Sequence, residues 1–148
     1  MSYRRKLSEE KVEEVQTGPL VEIETITPGD GVNFPKRGHT VRIIYDAYVV
    51  TEEEGMGLKV DSSKDKGLQG PTIDFTLGRS EVVKGMEEAV MQMSRGQRAK
   101  CTVASRLAYG AKGIPPLVPP NVTMNYDIEL ITFEKWVPMK VSEYMHKK

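Results

Sequence analysis

The chain has 148 residues, 39% of them hydrophobic, with 21 basic and 21 acidic side chains and a single cysteine. That is the size of one ordinary domain, long enough to bury a core without staples, and its balanced charge gives no general pull toward nucleic acid or a membrane surface. The lone Cys101 excludes an internal disulfide framework and a cysteine-rich metal site; without a secretory h-region or an apolar run of about 18 residues, the composition predicts a soluble, cytoplasmic protein.

Residues 1–17 read as a charged N-terminal extension. Ser8 is a candidate N-cap there, but Glu9, Glu10, Glu13 and Glu14 have too few apolar partners to hold a helix alone. After Gly18 and Pro19 the composition changes, and "LVEIETI" brings the β-branched alternation of a strand. "TPGDG" and "FPKRG" are dense turn signals. "TVRIIYDAYVV" (40–50) carries the clearest strand pattern, with Val41, Ile43, Tyr45, Ala47 and Val49 on one face. "TEEEGMG" interrupts as a solvated turn. "PTIDFTLG" (71–78) then alternates Ile73, Phe75 and Leu77. Residues 81–96 predict a helix of about three turns with Met86, Ala89, Val90 and Met93 on its apolar face and Gly96 as the stop. Strand alternation returns in "QRAKCTVA" (97–104) and in 123–133, where Met124, Tyr126, Ile128 and Leu130 share a face. Five or six strands and one helix predict an α+β domain, an antiparallel sheet folded against the helix, with an all-β fold as the alternative.

The chain is poor in the groups that carry most enzyme chemistry. Its two histidines, His39 and His146, belong to no ligand-spaced or nucleophile-activating set, and no phosphate-cradling glycine motif occurs. Metal, covalent and phosphoryl chemistry are therefore not expected, and no cofactor is implied. One reaction needs none of these tools. Rotation about a Xaa–Pro bond has a barrier of about 20 kcal/mol because amide resonance is lost on twisting. An apolar pocket with a few fixed polar groups can favour the twisted, less polar amide. The segment "AYGAKGIPPLVPP" (108–120) suits such a pocket, because four of the nine prolines stiffen an apolar loop led by Tyr109.

The segments "VEIETITPGDGVNFPKRGHTV", "VDSSKDKG", "FTLGRSEVVKGMEEAVMQMSRGQRAK" and "AYGAKGIPPLVPPNVTMNYDIELI" resemble, in order, the hallmark segments of the FKBP family over about three-quarters of the chain. These are peptidyl-prolyl cis–trans isomerases that bind proline-containing segments and macrolides such as tacrolimus or rapamycin. The resemblance implies a half-barrel antiparallel sheet of five to six strands wrapped around one short helix, in a domain spanning 18–132 with a C-terminal extension at 133–148. It implies a catalytic pocket built on Tyr45, Asp61, Val83 and Tyr109, with the Val83 N–H and the Tyr109 hydroxyl as donors to ligand carbonyls. Val60, Ile73, Val82, Met86 and Tyr126 extend that binding surface, and Ile114, Leu117 and Val118 form a loop overhanging it.

Four of these positions depart from the family pattern. Met86 stands where strongly active members have tryptophan, Val60 and Ile73 replace phenylalanines, and Tyr126 stands where phenylalanine is usual. The first three changes trade rigid aromatics for softer side chains, implying proline binding weakened by ~1–3 kcal/mol. Insertions at "TEEEG" and "GLQG" fall near the implied rim. Two classes stay open: a prolyl isomerase of reduced activity, and an FKBP-like binding or scaffold module that docks a protein partner through its rim or through residues 1–17 or 133–148. The apolar and aromatic residues Trp136, Val137, Met139, Val141, Tyr144 and Met145 suit either a docking role for the C-terminal extension or packing back on the domain's own sheet.

Overall fold

The computed structural model describes residues 20–50, 57–66 and 70–135. The N-terminal extension, most of the "TEEEGMG" turn, most of "GLQG" and the segment from Trp136 onward lie outside the described residues.

Among the described residues, six strands form one antiparallel sheet: β1 Val21–Thr27, β2 His39–Val49, β3 Leu58–Ser62, β4 Ile73–Thr76, β5 Arg98–Val103 and β6 Met124–Lys135. The order is β1-β5-β6-β2-β3, with β4 also paired to β2. β2 organises the sheet. One of its edges pairs with β6 from His39 to Val49. The other is shared, Thr40–Ile43 taken by β4 and Asp46–Val49 by β3. Register shifts between Arg42 and Ile43 and between Ala47 and Tyr48 mark bulges, which bend the strand and sharpen its twist. The sheet therefore curls around its helix without closing, the α+β architecture read from the sequence.

The helix, α1, spans Lys84–Met91 and rests on β1, β5 and β6. It is shorter than the apolar periodicity predicts. Val83 is extended, with ψ at 149°, and caps the helix from outside; after Gln92 the chain turns, so Met93 is buried from the turn. Gly85 lets α1 approach β5, since a Cβ there would collide with the Val103 side chain. The core is the alternation read from β2 and β6: Val41, Ile43, Ala47, Met124, Ile128 and Leu130 are all at most 1% exposed, and α1 adds Met86, Ala89 and Val90. β3 has no such signature. Leu58 and Lys59 are exposed and only Ser62 is fully buried, so this edge strand is recruited by pairing with β2.

Candidate functional site

The cavity at the mouth of the half-barrel has a volume of about 180 Å³ and is lined by Tyr45, Asp61, Lys66, Glu81, Val82, Val83, Met86, Tyr109 and Tyr126. Three strands, the helix with its entrance, and the loop at Tyr109 meet there. β2 and β6 present Tyr45 and Tyr126 from the inner face of the sheet, where their rings meet edge-on with centroids 6.4 Å apart. β3 delivers Asp61 across the β2 edge. The segment entering α1 supplies Val82 and Val83, and the first turn of α1 supplies Met86.

The geometry around Asp61 explains why two serines follow it. The Tyr45 hydroxyl donates to Asp61 Oδ2 at 2.7 Å, and the Ser62 N–H donates to Oδ1 at 2.9 Å. The Ser62 hydroxyl reaches the other face of β2 and donates to Asp46 Oδ1 at 2.6 Å. Ser63, fully buried, accepts from the Tyr45 N–H at 2.9 Å and returns a bond to the Tyr45 carbonyl. The two hydroxyls thus continue the β2–β3 pairing where the backbone turns away, and fix the aspartate against the tyrosine. Burial and the bond to Asp61 push the Tyr45 hydroxyl well above the ordinary tyrosine range, so it stays a donor. Lys66 Nζ lies 3.2 Å from Asp61 Oδ1. Being half-exposed, that pair contributes at most about 1 kcal/mol to stability, but it places a cation at the cavity rim.

Two carboxylates hold the opposite wall. Glu81 Oε1 accepts from the Thr76 N–H at 3.0 Å, tying the helix entrance to β4. Glu87, on the first turn of α1 and 7% exposed, accepts from the N–H groups of Gly78 and Ser80 at 3.0 and 3.3 Å. These bonds fix the turn that leads into Val82 and Val83. Met86 forms the floor and is 3% exposed.

The proline-rich loop is a tight hairpin. Ile114 and Val118 exchange two backbone hydrogen bonds of 2.8 Å, and the Asn121 N–H closes the base on the Gly110 carbonyl. Gly113, at φ 62°, is required there, because a Cβ would run into the Val118 carbonyl. The loop points its apolar residues in opposite directions: Val118 is 2% exposed and anchors it in the core, while Ile114 and Leu117 are 45% and 54% exposed.

The family model described as FKBP-type peptidyl-prolyl cis-trans isomerase matches residues 31–131. A peptidyl-prolyl cis-trans isomerase named FKBP1A from Xenopus laevis is 47% identical over 114 residues, covering 77% of this chain and 98% of the relative. The chain belongs to the FKBP-type peptidyl-prolyl cis-trans isomerase family.

As an FKBP-type isomerase it acts on Xaa–Pro bonds, and proline-containing segments are its substrates. Of the positions implied by the FKBP resemblance, Tyr45, Asp61, Val82, Val83, Met86, Tyr109 and Tyr126 converge on the one cavity. Val60 and Ile73 do not line it; both are partly buried and pack against the core. Ile114, Leu117 and Val118 also lie outside the lining, and Val118 is a buried anchor instead of part of an overhang. Lys66 and Glu81 were missed because charged residues among turn signals read as solvated. The "DSS" and "SE" contexts next to the pocket strands were the available signal. No helix among the described residues is long and apolar enough to cross a membrane.

Proposed function

We propose that the Tyr45–Asp61–Met86–Tyr109 cavity is where this FKBP-type isomerase binds and twists its prolyl substrate. The observation carrying this reading is the convergence of seven side chains, from separate strands, the helix and its entrance, and the loop at Tyr109, on one cavity that combines Val82, Val83 and Met86 with a hydrogen-bonded Tyr45–Asp61 pair. The proline ring enters between Tyr45, Val82, Val83, Met86 and Tyr126. Exclusion of water by these walls favours the twisted imide, whose carbonyl is less polar than that of the planar form. The Tyr109 hydroxyl and the Val83 N–H, which precedes the helix, donate to flanking carbonyls and hold the peptide while the bond turns. Asp61, oriented by Tyr45 and the Ser62 N–H, sets a fixed negative charge beside the rotating carbonyl.

The reading extends to macrolides, whose pipecolyl ring and adjacent carbonyls mimic a prolyl imide, to a rate below that of members with an aromatic floor, to action in the cytoplasm, and to partner docking through residues 1–17 or 133–148. Titration with tacrolimus, followed by tyrosine fluorescence and by inhibition of Xaa–Pro isomerisation, tests the first two. Inhibition with a matching Kd supports a shared site. Binding without inhibition would place the macrolide elsewhere.

A further inference from the structure

Among the described residues two buried polar side-chain atoms have no hydrogen-bond partner, Arg95 Nε and Tyr126 Oη. The Arg95 guanidinium is otherwise engaged, lying 4.5 Å over the Phe133 ring with Nη2 bonded to the Phe133 carbonyl. Tyr126 is different, because it lies at the cavity. It is 1% exposed, and its ladder neighbours, Ala47 on β2 and Cys101 on β5, carry small side chains without an oxygen to accept the proton. The Tyr45 hydroxyl beside it is committed to Asp61. A phenylalanine, the residue usual at this position in the FKBP pattern, would fill the same space without stranding a donor. The hydroxyl is therefore a cost in the folded protein that packing does not explain.

Tyr126 Oη exposes essentially no surface, so a ligand atom does not reach it and its effect must pass through a neighbour. Tyr109 lines the same cavity as Tyr126, and after burial it acts most on the Tyr126 hydroxyl, through its charge and through a side-chain contact that falls short of a full hydrogen bond, pushing that hydroxyl far above its ordinary range and keeping it a proton donor. A phenol oxygen accepts one hydrogen bond while its own proton donates another, and such chains strengthen each other in a low-dielectric site. Active-site hydrogen bonds are also often long before substrate binds and tighten in the complex.

We propose that Tyr126 is a positioning residue: its hydroxyl donates to the Tyr109 phenol oxygen when Tyr109 donates to a carbonyl of the bound prolyl peptide. This rests on the reading of Tyr109 as the carbonyl donor, and it turns an incomplete contact into a fully formed hydrogen bond in the productive complex.

The test is a double-mutant cycle on the full chain, with kcat/KM for a Xaa–Pro peptide and the thermal unfolding midpoint measured for wild type, Tyr126→Phe, Tyr109→Phe and the double variant. Tyr126→Phe should lower kcat/KM about three- to tenfold, the range of a single hydrogen bond, while leaving the midpoint equal or higher, since a stranded donor has been removed. In the Tyr109→Phe background the same change should cost nothing further. Equal losses in both backgrounds, wild-type activity in Tyr126→Phe, or a midpoint that falls together with activity would each overturn the relay. If Tyr109→Phe is impaired and Tyr126→Phe is not, only the relay fails; if Tyr109→Phe is as active as wild type, the reading of Tyr109 fails with it.

Discussion

The Tyr45 hydroxyl donates to Asp61 Oδ2 at 2.7 Å, across the β2–β3 edge and at the mouth of the cavity. This bond joins the longest-patterned strand of the sheet to an edge strand with no pattern of its own, so on the proposed reading it serves both the fold and catalysis. Tyr45→Phe should lower stability by about 1.5–3 kcal/mol, the range for a hydrogen bond to a charged group, and lower kcat/KM on prolyl peptides as Asp61 loses its alignment. Chemical denaturation and an isomerisation assay on the same variant check both. Unchanged stability would show that Asp61 is held by Ser62 and Lys66 alone.

The floor sets the second expectation. Met86→Trp restores a rigid aromatic at the base of the cavity and should raise kcat/KM roughly two- to tenfold, the equivalent of about 0.5–1.5 kcal/mol of ring contact. Because Met86 is nearly fully buried, the larger ring should also cost about 1–3 kcal/mol of stability through overpacking. Lost stability with no gain in rate would show that the floor does not limit activity.

The loop separates anchor from surface. Val118→Ala should destabilise by about 1–3 kcal/mol, because it opens space in the core. Leu117→Ala, at a residue 54% exposed, should stay within about 0.5 kcal/mol of wild type. Unfolding curves for the pair decide this, and equal effects would contradict the anchoring role of Val118.

These contrasts also mark how far the residues alone could be read. The β2 and β6 faces were legible because period-two burial leaves a direct trace, from Val41 to Val49 and from Met124 to Leu130. β3 left none, since an edge strand with Leu58 and Lys59 facing solvent needs no alternation. The helix was read too long because Val82, Val83 and Met93 are partly or fully buried for tertiary reasons, from extended and turn conformations that mimic helical spacing. In the site, Tyr45, Asp61 and Tyr109 emerged from ordered motifs. Lys66 and Glu81 did not, because their roles depend on contacts across the fold. Val118 looked like its neighbour Leu117 in sequence, and only the hairpin geometry turns one inward.

Acid should reach one loop late. Asp30 accepts bonds from the Asn33 N–H, the Asn33 side chain and the Val32 N–H, which pull its carboxyl down to about 2. A folded value below the unfolded one, about 3.9, gives a contribution present above the unfolded value and lost as pH falls toward 2. Carboxyl-carbon NMR titration should show Asp30 ionised at pH 3, whereas an ordinary midpoint near 4 would contradict these bonds.

Cys101 is fully buried between Ile23 and Tyr126, and burial pushes its thiol up to about 12. It should resist a thiol reagent at pH 8 in the native protein and react on unfolding. Rapid native labelling would show that β5 opens on its own.

Exchange NMR on the cis and trans peaks of a Xaa–Pro peptide tests the central claim most directly, with the protein as wild type and as the Tyr45→Phe/Tyr109→Phe double variant. A wild-type rate well above buffer that falls sharply in the double variant is the predicted result. A rate equal in the two proteins, or indistinguishable from buffer at tens of micromolar wild type, would contradict catalysis in this cavity.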